Sequence, residues 1–305
     1  MAIVLYENFR ALFYAPFYAA EAIGAYRDAG VDVAIHSSPN PATTGAALRS
    51  GAADVMWGGP LRVLMMAERD PEAEFVCVCD VVARDPFFVI GRTPRPDFTL
   101  TDLASVRLAS VSEVPTPWLC LQDDLRRVGL DPDRIDRRTG ASMAENAQAL
   151  RTGEVDAVQL FQPYAETLLA EGAGHLWYAA ANRGLTAYTT LVTRREVLRE
   201  RPGELRAMIK AMAHTLDWFA QTPADGIARK VTGYFPDVDP TVLAACIGRY
   251  KALKLWASSP VLAPEGFERL QDAMLSGGEL RSRIGFDVCV DNTLAEAVNA
   301  ERAAG

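Results

Sequence analysis

The chain has 305 residues, 50% hydrophobic and 23% charged; this is ordinary globular composition, long enough for two α/β lobes, and it excludes disordered and fibrous classes. A net charge of −8 opposes binding to nucleic acid, because neutralising phosphates takes clustered Lys and Arg. No apolar run reaches the roughly 20 residues that span a bilayer, the five cysteines are an odd set without C-x-x-C, and three histidines give a metal little to build on, so neither cofactor nor metal is expected.

Residues 3–6 read as a strand, followed by a loop at 7–14 and a helix from about Ala15 with Pro16 in its first turn. Gly30 closes that unit and Val31, Val33 and Ile35 alternate as a second strand, so strand, helix and strand form a βαβ crossover. A helix over 43–49 and a strand over 53–57 repeat the unit, which ends at Gly58-Gly59 before Pro60 starts the next helix. Residues 75–82 and 87–90 are β-rich, and the proline-punctuated segment 93–96 is the first expected crossing between lobes.

The second lobe opens with a strand over 106–111, a turn over 112–117 and a helix over 118–128 ending at Gly129. Within this lobe the chain repeats a phrase of the first: Ala47-Leu48-Arg49-Ser50-Gly51-Ala52-Ala53-Asp54 returns as Ala149-Leu150-Arg151-Thr152-Gly153-Glu154-Val155-Asp156. In each copy a helical run ends at a Gly that takes the left-handed conformation without steric penalty, and an Asp leads into an apolar run. A strand at 158–161 follows the second copy, 186–193 serves as the return crossing, and helical patterns then dominate, over 204–219, 224–234, 240–253 and 264–275. That tail is expected to pack on the first lobe. The basic residues Arg126, Arg127, Arg134, Arg137 and Arg138 are interrupted by four aspartates and read as a solvated face.

The opening Leu5-Tyr6 and Ala15-Pro16-Phe17-Tyr18-Ala19-Ala20, the run Gly24-Ala25-Tyr26-Arg27-Asp28-Ala29-Gly30-Val31-Asp32-Val33, and the later Asp102-Leu103, Gly153-x-x-Asp156-Ala157 and Thr193-Arg194-Arg195 resemble, in this order, substrate-binding proteins of the sulfonate, taurine, nitrate and thiamine-precursor transport group. The resemblance spans nearly the whole chain. It implies an α/β, two-lobed type II periplasmic-binding-protein fold, with two doubly wound lobes joined by a two-strand hinge and closing on a small ligand. The expected division is 1–92 with 190–305 as the first lobe and 93–189 as the second. It also implies an ABC transporter permease as partner. Because the chain starts directly on a strand, without the basic and apolar regions of a signal peptide, it is expected in the periplasm if a leader was removed and in the cytoplasm otherwise. The same fold group includes pyrimidine synthases and a sulfinate desulfinase, so a cytoplasmic enzyme acting on a small aromatic compound is the alternative.

In open α/β sheets, ligands sit outside the carboxyl ends of the strands. The turns there supply the candidate ligand-binding residues: Asn8, Phe9, Arg10, Phe13 and Tyr14; His36 and Ser37; Trp57, Gly58, Gly59 and Pro60; Ser112, Glu113, Val114, Thr116 and Trp118; Gln162 and Tyr164; and Asn182 and Thr186 near the return crossing. The aromatic residues suit a flat ligand, and Arg10 could hold a carboxylate or sulfonate; Glu113 would instead suit an amine or a protonatable heterocycle. Each turn also has a plainer reading, in which the glycines only reverse the chain, Ser112 or Thr116 only caps a helix, and Phe13 packs in the core. The enzyme alternative would draw on His36 or Glu113 as acid or base. Cys77-Val78-Cys79 is the nearest approach to a cysteine motif; both thiols are expected on one face of a strand.

Overall fold

In the computed structural model, which describes residues 2–38, 41–70 and 74–304, the chain forms two five-stranded sheets. The first contains β1 (Ile3–Tyr6), β2 (Val33–His36), β3 (Val55–Gly58), β4 (Phe75–Val82) and β10 (Thr189–Arg194), in the order β2-β1-β3-β10-β4. The second contains β5 (Phe88–Gly91), β6 (Arg107–Ala109), β7 (Asp136–Arg138), β8 (Ala157–Leu160) and β9 (His175–Ala179), in the order β7-β6-β8-β5-β9. The two orders correspond place by place. Each has three parallel strands, then an antiparallel strand, then an outer strand antiparallel to that one.

Helices α1 (Ala15–Ala22), α2 (Ala25–Asp28), α3 (Pro41–Ser50) and α4 (Pro60–Arg69) alternate with the strands of the first half, and α5 (Thr116–Arg127), α6 (Met143–Thr152) and α7 (Tyr164–Ala170) with those of the second. After β10 come α8 (Arg195–Glu200), α9 (Pro202–Gln221), α10 (Ala224–Val231), α11 (Pro240–Ala252), α12 (Pro264–Ser276), α13 (Phe286–Cys289) and α14 (Thr293–Ala304). Proline in the first turn opens α1, α4, α5, α9, α11 and α12, where its missing N–H costs no intrahelical bond. As expected, the tail covers the first sheet's helices through α9 and α10. It also reaches the second lobe, where α12 packs on α5 and α11 on α7.

The repeated phrase does the same structural work twice. Gly51 and Gly153 end their helices with φ of 81° and 78°. Asp54 N–H donates to the Val4 carbonyl at 2.9 Å while its Oδ2 accepts from Val4 N–H at 2.8 Å. Asp156 does likewise with Arg107, at 2.9 and 3.0 Å. Each Asp thus ties the start of one parallel strand to its neighbour and sets their register.

The crossings differ from expectation. β5 pairs with β8 and β9, so the chain passes between sheets at 83–87, ahead of the proline-rich 93–96 segment, and returns through 180–188. Phe88–Gly91 is buried along its whole length, and an unbroken apolar run does not say which sheet it joins. β7 and β9 were absent from the expected set, as was α14. β7 reads Asp-Arg-Arg, with no apolar alternation to mark it.

The two crossings are clamped together by buried charge. The Arg183 guanidinium on the return bonds Asp85 on the outward crossing at 2.5 Å and Asp124 of α5 through Nε at 2.9 and 3.0 Å, and also through Nη2. Its side chain is 4% exposed, those of Asp85 and Asp124 0% and 7%. Tyr178 O–H donates to Asp124 at 2.9 Å and Phe87 N–H to Asp85 at 2.9 Å. Burial opposes the guanidinium charge, but the two carboxylates prevail and hold Arg183 well above the ordinary arginine range.

Candidate functional site

The loops at the carboxyl ends of β1 and β3 face the turn after β6 and the loop after β8 across a cleft between the lobes. Two chambers occupy it, one of about 500 Å³ and one of about 430 Å³. Phe9 of the first lobe and Val114 of the second line both, so this pair stands between them.

The larger chamber has Asn8, Phe13 and Tyr14 on one wall, Arg62 and Met65 of α4 on another, and Val114, Pro115 and Thr116 across from them, with Tyr188 from the return crossing. Phe9 meets Tyr14 edge-on at 5.3 Å between ring centroids and Phe13 at 6.1 Å, and Phe13 meets Tyr188 edge-on at 5.8 Å, so the aromatic wall is held by its own ring contacts. Asn8 Nδ2 donates to Tyr14 Oη at 3.2 Å, and its buried Oδ1 has no partner among the described residues. Burial pushes the Tyr14 phenol up, against the bond from Asn8 and the nearby charge of Arg62, and burial likewise lowers Arg62. Gly59 borders this chamber with the Tyr188 carbonyl so near that an added Cβ would sit 3.3 Å from it.

The smaller chamber is bounded by Arg10, Leu12, Glu113, Phe161, Gln162 and Tyr164. Glu113 accepts from Met143 N–H at 2.9 Å and Ser112 N–H at 3.4 Å, and so fixes its own turn against the start of α6. Gln162 is fully buried; its Oε1 accepts from Glu166 N–H at 2.8 Å and its N–H donates to Tyr250 Oη at 3.2 Å. Arg10 is engaged by Glu7 at 3.2 Å, the Tyr234 carbonyl at 3.0 Å and Ser37 Oγ at 3.3 Å, with its guanidinium 4.8 Å from the Tyr18 ring centroid. Its charge therefore already has a carboxylate partner, and Ser37 belongs to that network.

Of the residues singled out in the sequence, Asn8, Phe9, Arg10, Phe13, Tyr14, Gly59, Glu113, Val114, Thr116, Gln162 and Tyr164 border the chambers. The others do not. Trp57 is 0% exposed and stacks on Phe17 at 4.6 Å, because alternation along β3 turns Met56 to the larger chamber and Trp57 to the opposite core. Gly58 ends β3 and Pro60 starts α4, both buried. Trp118 lies under Arg137, 4.0 Å from its ring centroid. Ser112 accepts from Gly140 N–H at 2.8 Å, and His36 is exposed and stacked on Tyr6 at 5.3 Å. Asn182 is exposed on the return crossing, and Thr186 is buried there, its N–H donating to the Ala83 carbonyl at 2.8 Å. Sequence reasoning missed Arg62 and Tyr188. The first sits among ordinary helix residues and the second in a Thr-rich run, so neither carried a signal.

All five cysteines are buried and none borders either chamber. Cys77 and Cys79 do not share a face as expected, because β4 spends two residues against one on β10 between Val192 and Leu191, and this bulge sends the thiols into different core clusters. Burial pushes the Cys77 thiol up to about 12 and raises Cys79 well above the ordinary range.

The family model described as NMT1/THI5 like matches residues 13–225. YtlA of Bacillus subtilis, whose description as a binding protein is provisional, is 26% identical over 301 residues, 97% of this chain and 89% of that protein. Among solved structures, the alkanesulfonate-binding protein SsuA from Xanthomonas axonopodis pv. citri bound to MOPS aligns with a TM-score of 0.72 at 18% identity, covering 96% of this chain and 98% of that one. The desulfurization enzyme DSZB aligns with a TM-score of 0.71 at 15% identity, covering 99% and 100%. The fold is that of the type II periplasmic-binding proteins.

Proposed function

The chain belongs to the NMT1/THI5-like family, and from that premise we propose that it is a solute-binding protein of an ABC-type import system, capturing a small aromatic or heteroaromatic acid between its lobes. The observation that carries the reading is the larger chamber, where Phe9, Phe13, Tyr14 and Tyr188 offer ring faces and edges while Arg62 supplies charge. An anion is favoured over an amine because Arg49, Arg62 and Arg69 line the larger chamber and no carboxylate does so among the described residues, while Glu113, in the smaller chamber, is held by backbone N–H groups. Asn8 Oδ1 is the acceptor for a donor on the ligand.

The lobes we assign divide at the crossings, with 1–86 and 188–305 forming the first and 87–187 the second. Closure brings Val114–Thr116 towards Phe9 and is driven by tighter binding to the closed state. The binding-protein descriptions of the SsuA structure and YtlA support this reading, and an export-side location and a membrane permease as partner go with it. No helix among the described residues is long and apolar enough to cross a membrane.

The test is a thermal-shift and titration panel of aromatic acids, alkanesulfonates and aminopyrimidines. Aromatic acids raise the melting temperature, and Arg62→Gln weakens them at least about tenfold, since a charge-assisted bond in a partly buried site is lost. A response to aminopyrimidines alone overturns the ligand class, and no response from any class overturns the cleft reading. Recovery of intact ligand separates the binder from an enzyme of the same fold.

A further inference from the structure

A third cavity, of about 660 Å³, lies away from the cleft, behind the hinge. Its interior is apolar, with Leu216 and Phe219 of α9 and Leu255 and Trp256 after α11, and its rim includes the exposed Ala220, Lys254 and Ser258. One buried acid belongs to its wall. Asp80 of β4 is 6% exposed and its Oδ1 has no hydrogen-bond partner among the described residues. Register shifts on both sides of the Cys79–Asp80 pair re-aim this part of the strand. Burial pushes the Asp80 carboxyl up to about 7, the acceptance of a bond from Val81 N–H only partly opposing it.

The other charged groups around the cavity are accounted for differently. Lys251 donates to the Phe219 carbonyl at 2.6 Å and to the Thr222 carbonyl, Arg84 to the Ala181 carbonyl at 3.1 Å, and Asp217 pairs with Arg302 at 3.0 Å. Lys254 stands at the exposed rim, and the buried thiols Cys77 and Cys79 precede Asp80 on its own strand. None of these cations is among the causes of the Asp80 shift. A buried carboxyl with an unpartnered oxygen, in a cavity also walled by Leu216, Phe219 and Trp256, is the recognition chemistry of an ammonium on an apolar body.

We propose that this cavity is a second ligand site, which takes a small organic amine with its ammonium on Asp80 and its apolar body against Trp256, Phe219 and Leu216. The site lies against the hinge, since Ala83 and Arg84 belong to one crossing and Leu185 to the other. It also touches the cleft from behind, because Trp256 Nε1–H donates to the Phe13 carbonyl at 2.9 Å and the Phe13 ring lines the larger chamber.

The experiment is calorimetric titration of the full chain with benzylamine, benzyl alcohol and benzoate. Benzylamine binds best, and Asp80→Asn, which keeps the shape and removes the charge, weakens it at least about tenfold while leaving benzyl alcohol unchanged. Ala220→Trp, at the exposed end of α9 and outside the cleft, blocks the rim and weakens amine and alcohol together without altering the core. Wild-type affinity for the amine rises from about pH 6 to about pH 8 as the carboxyl loses its proton, and Asp80→Asn removes that rise. Equal benzylamine binding by wild type and Asp80→Asn, tighter binding of benzoate, insensitivity to Ala220→Trp, or no binding to wild type at millimolar amine each overturns the proposal.

Discussion

Replacing Arg183 by Met removes the cation that joins the two crossings and leaves Asp85 and Asp124 facing one another with side chains 0% and 7% exposed. Four N–H contacts vanish, from Nε to both oxygens of Asp124, from Nη1 to Asp85 and from Nη2 to Asp124, and among the described residues only Phe87 N–H and Tyr178 O–H remain as donors. Breaking a buried pair in this way costs about 3–5 kcal/mol, a large part of a total stability of about 5–15 kcal/mol, and lowers Tm by roughly 10 °C. The loss depends on pH. Burial raises the Asp85 carboxyl even with Arg183 present, and without the guanidinium it rises further. A carboxyl whose folded pKa lies above its unfolded value of about 3.9 binds more protons in the native state, so it subtracts stability as pH rises through that window. The gap between wild type and Arg183→Met, measured by urea unfolding, therefore narrows as pH falls from about 7 to about 5, and Asp124→Asn added to the variant restores part of the loss. A loss below about 1 kcal/mol, or a gap constant across that pH range, refutes the reasoning.

Three further outcomes follow from single positions. Asp54→Ala costs about 2 kcal/mol and Asp156→Ala about 1 kcal/mol in urea unfolding, because both bracket a strand but the Asp54 side chain is 17% exposed, against 43% for Asp156, and also holds Arg201 at 2.9 Å. Equal losses contradict the burial argument. Lys254 has φ of 52° just after α11, where its N–H donates to the Lys251 carbonyl and Leu255 N–H to the Tyr250 carbonyl, both at 3.0 Å; Lys254→Gly raises stability by about 0.5–1 kcal/mol by relieving the left-handed strain. A less stable glycine variant counts against that account. Asp80, pushed up to about 7, subtracts stability as pH rises from about 4 to about 7, so Asp80→Asn gains on wild type across that interval and stays level above it; a pH-independent difference excludes a buried neutral carboxyl.

The αβ steps were legible because each is marked locally. Gly51 and Gly153 stop a helix, and Asp54 and Asp156 open the next strand. These signals repeat with the fold and needed no knowledge of partners. The cleft-facing loop 8–14 and the turn around Val114 were found by the same logic, since they follow strand ends. What escaped was set by contacts far apart in the chain. Asp85 and Arg183 are 98 residues apart, and each looks like an ordinary surface charge until the crossings meet. Trp57 was misplaced because a strand buried on both faces gives no alternation, so sequence alone cannot tell whether Met56 or Trp57 looks into the cleft. Arg10 was assigned to the ligand because nothing in the order of residues shows that Glu7 claims it first.

The position of β10 has a consequence for how the protein is made. β5 through β9 are contiguous, so the second sheet has all its strands once residue 179 has left the ribosome. The first sheet at that moment is two fragments, β2-β1-β3 and a lone β4, because these do not pair with each other and wait for residues 189–194 to enter between them. Vectorial synthesis thus completes the second sheet first, and the nascent N-terminal strands keep the β3 edge unpaired until the chain returns, the interval in which a chaperone or a premature partner would find it.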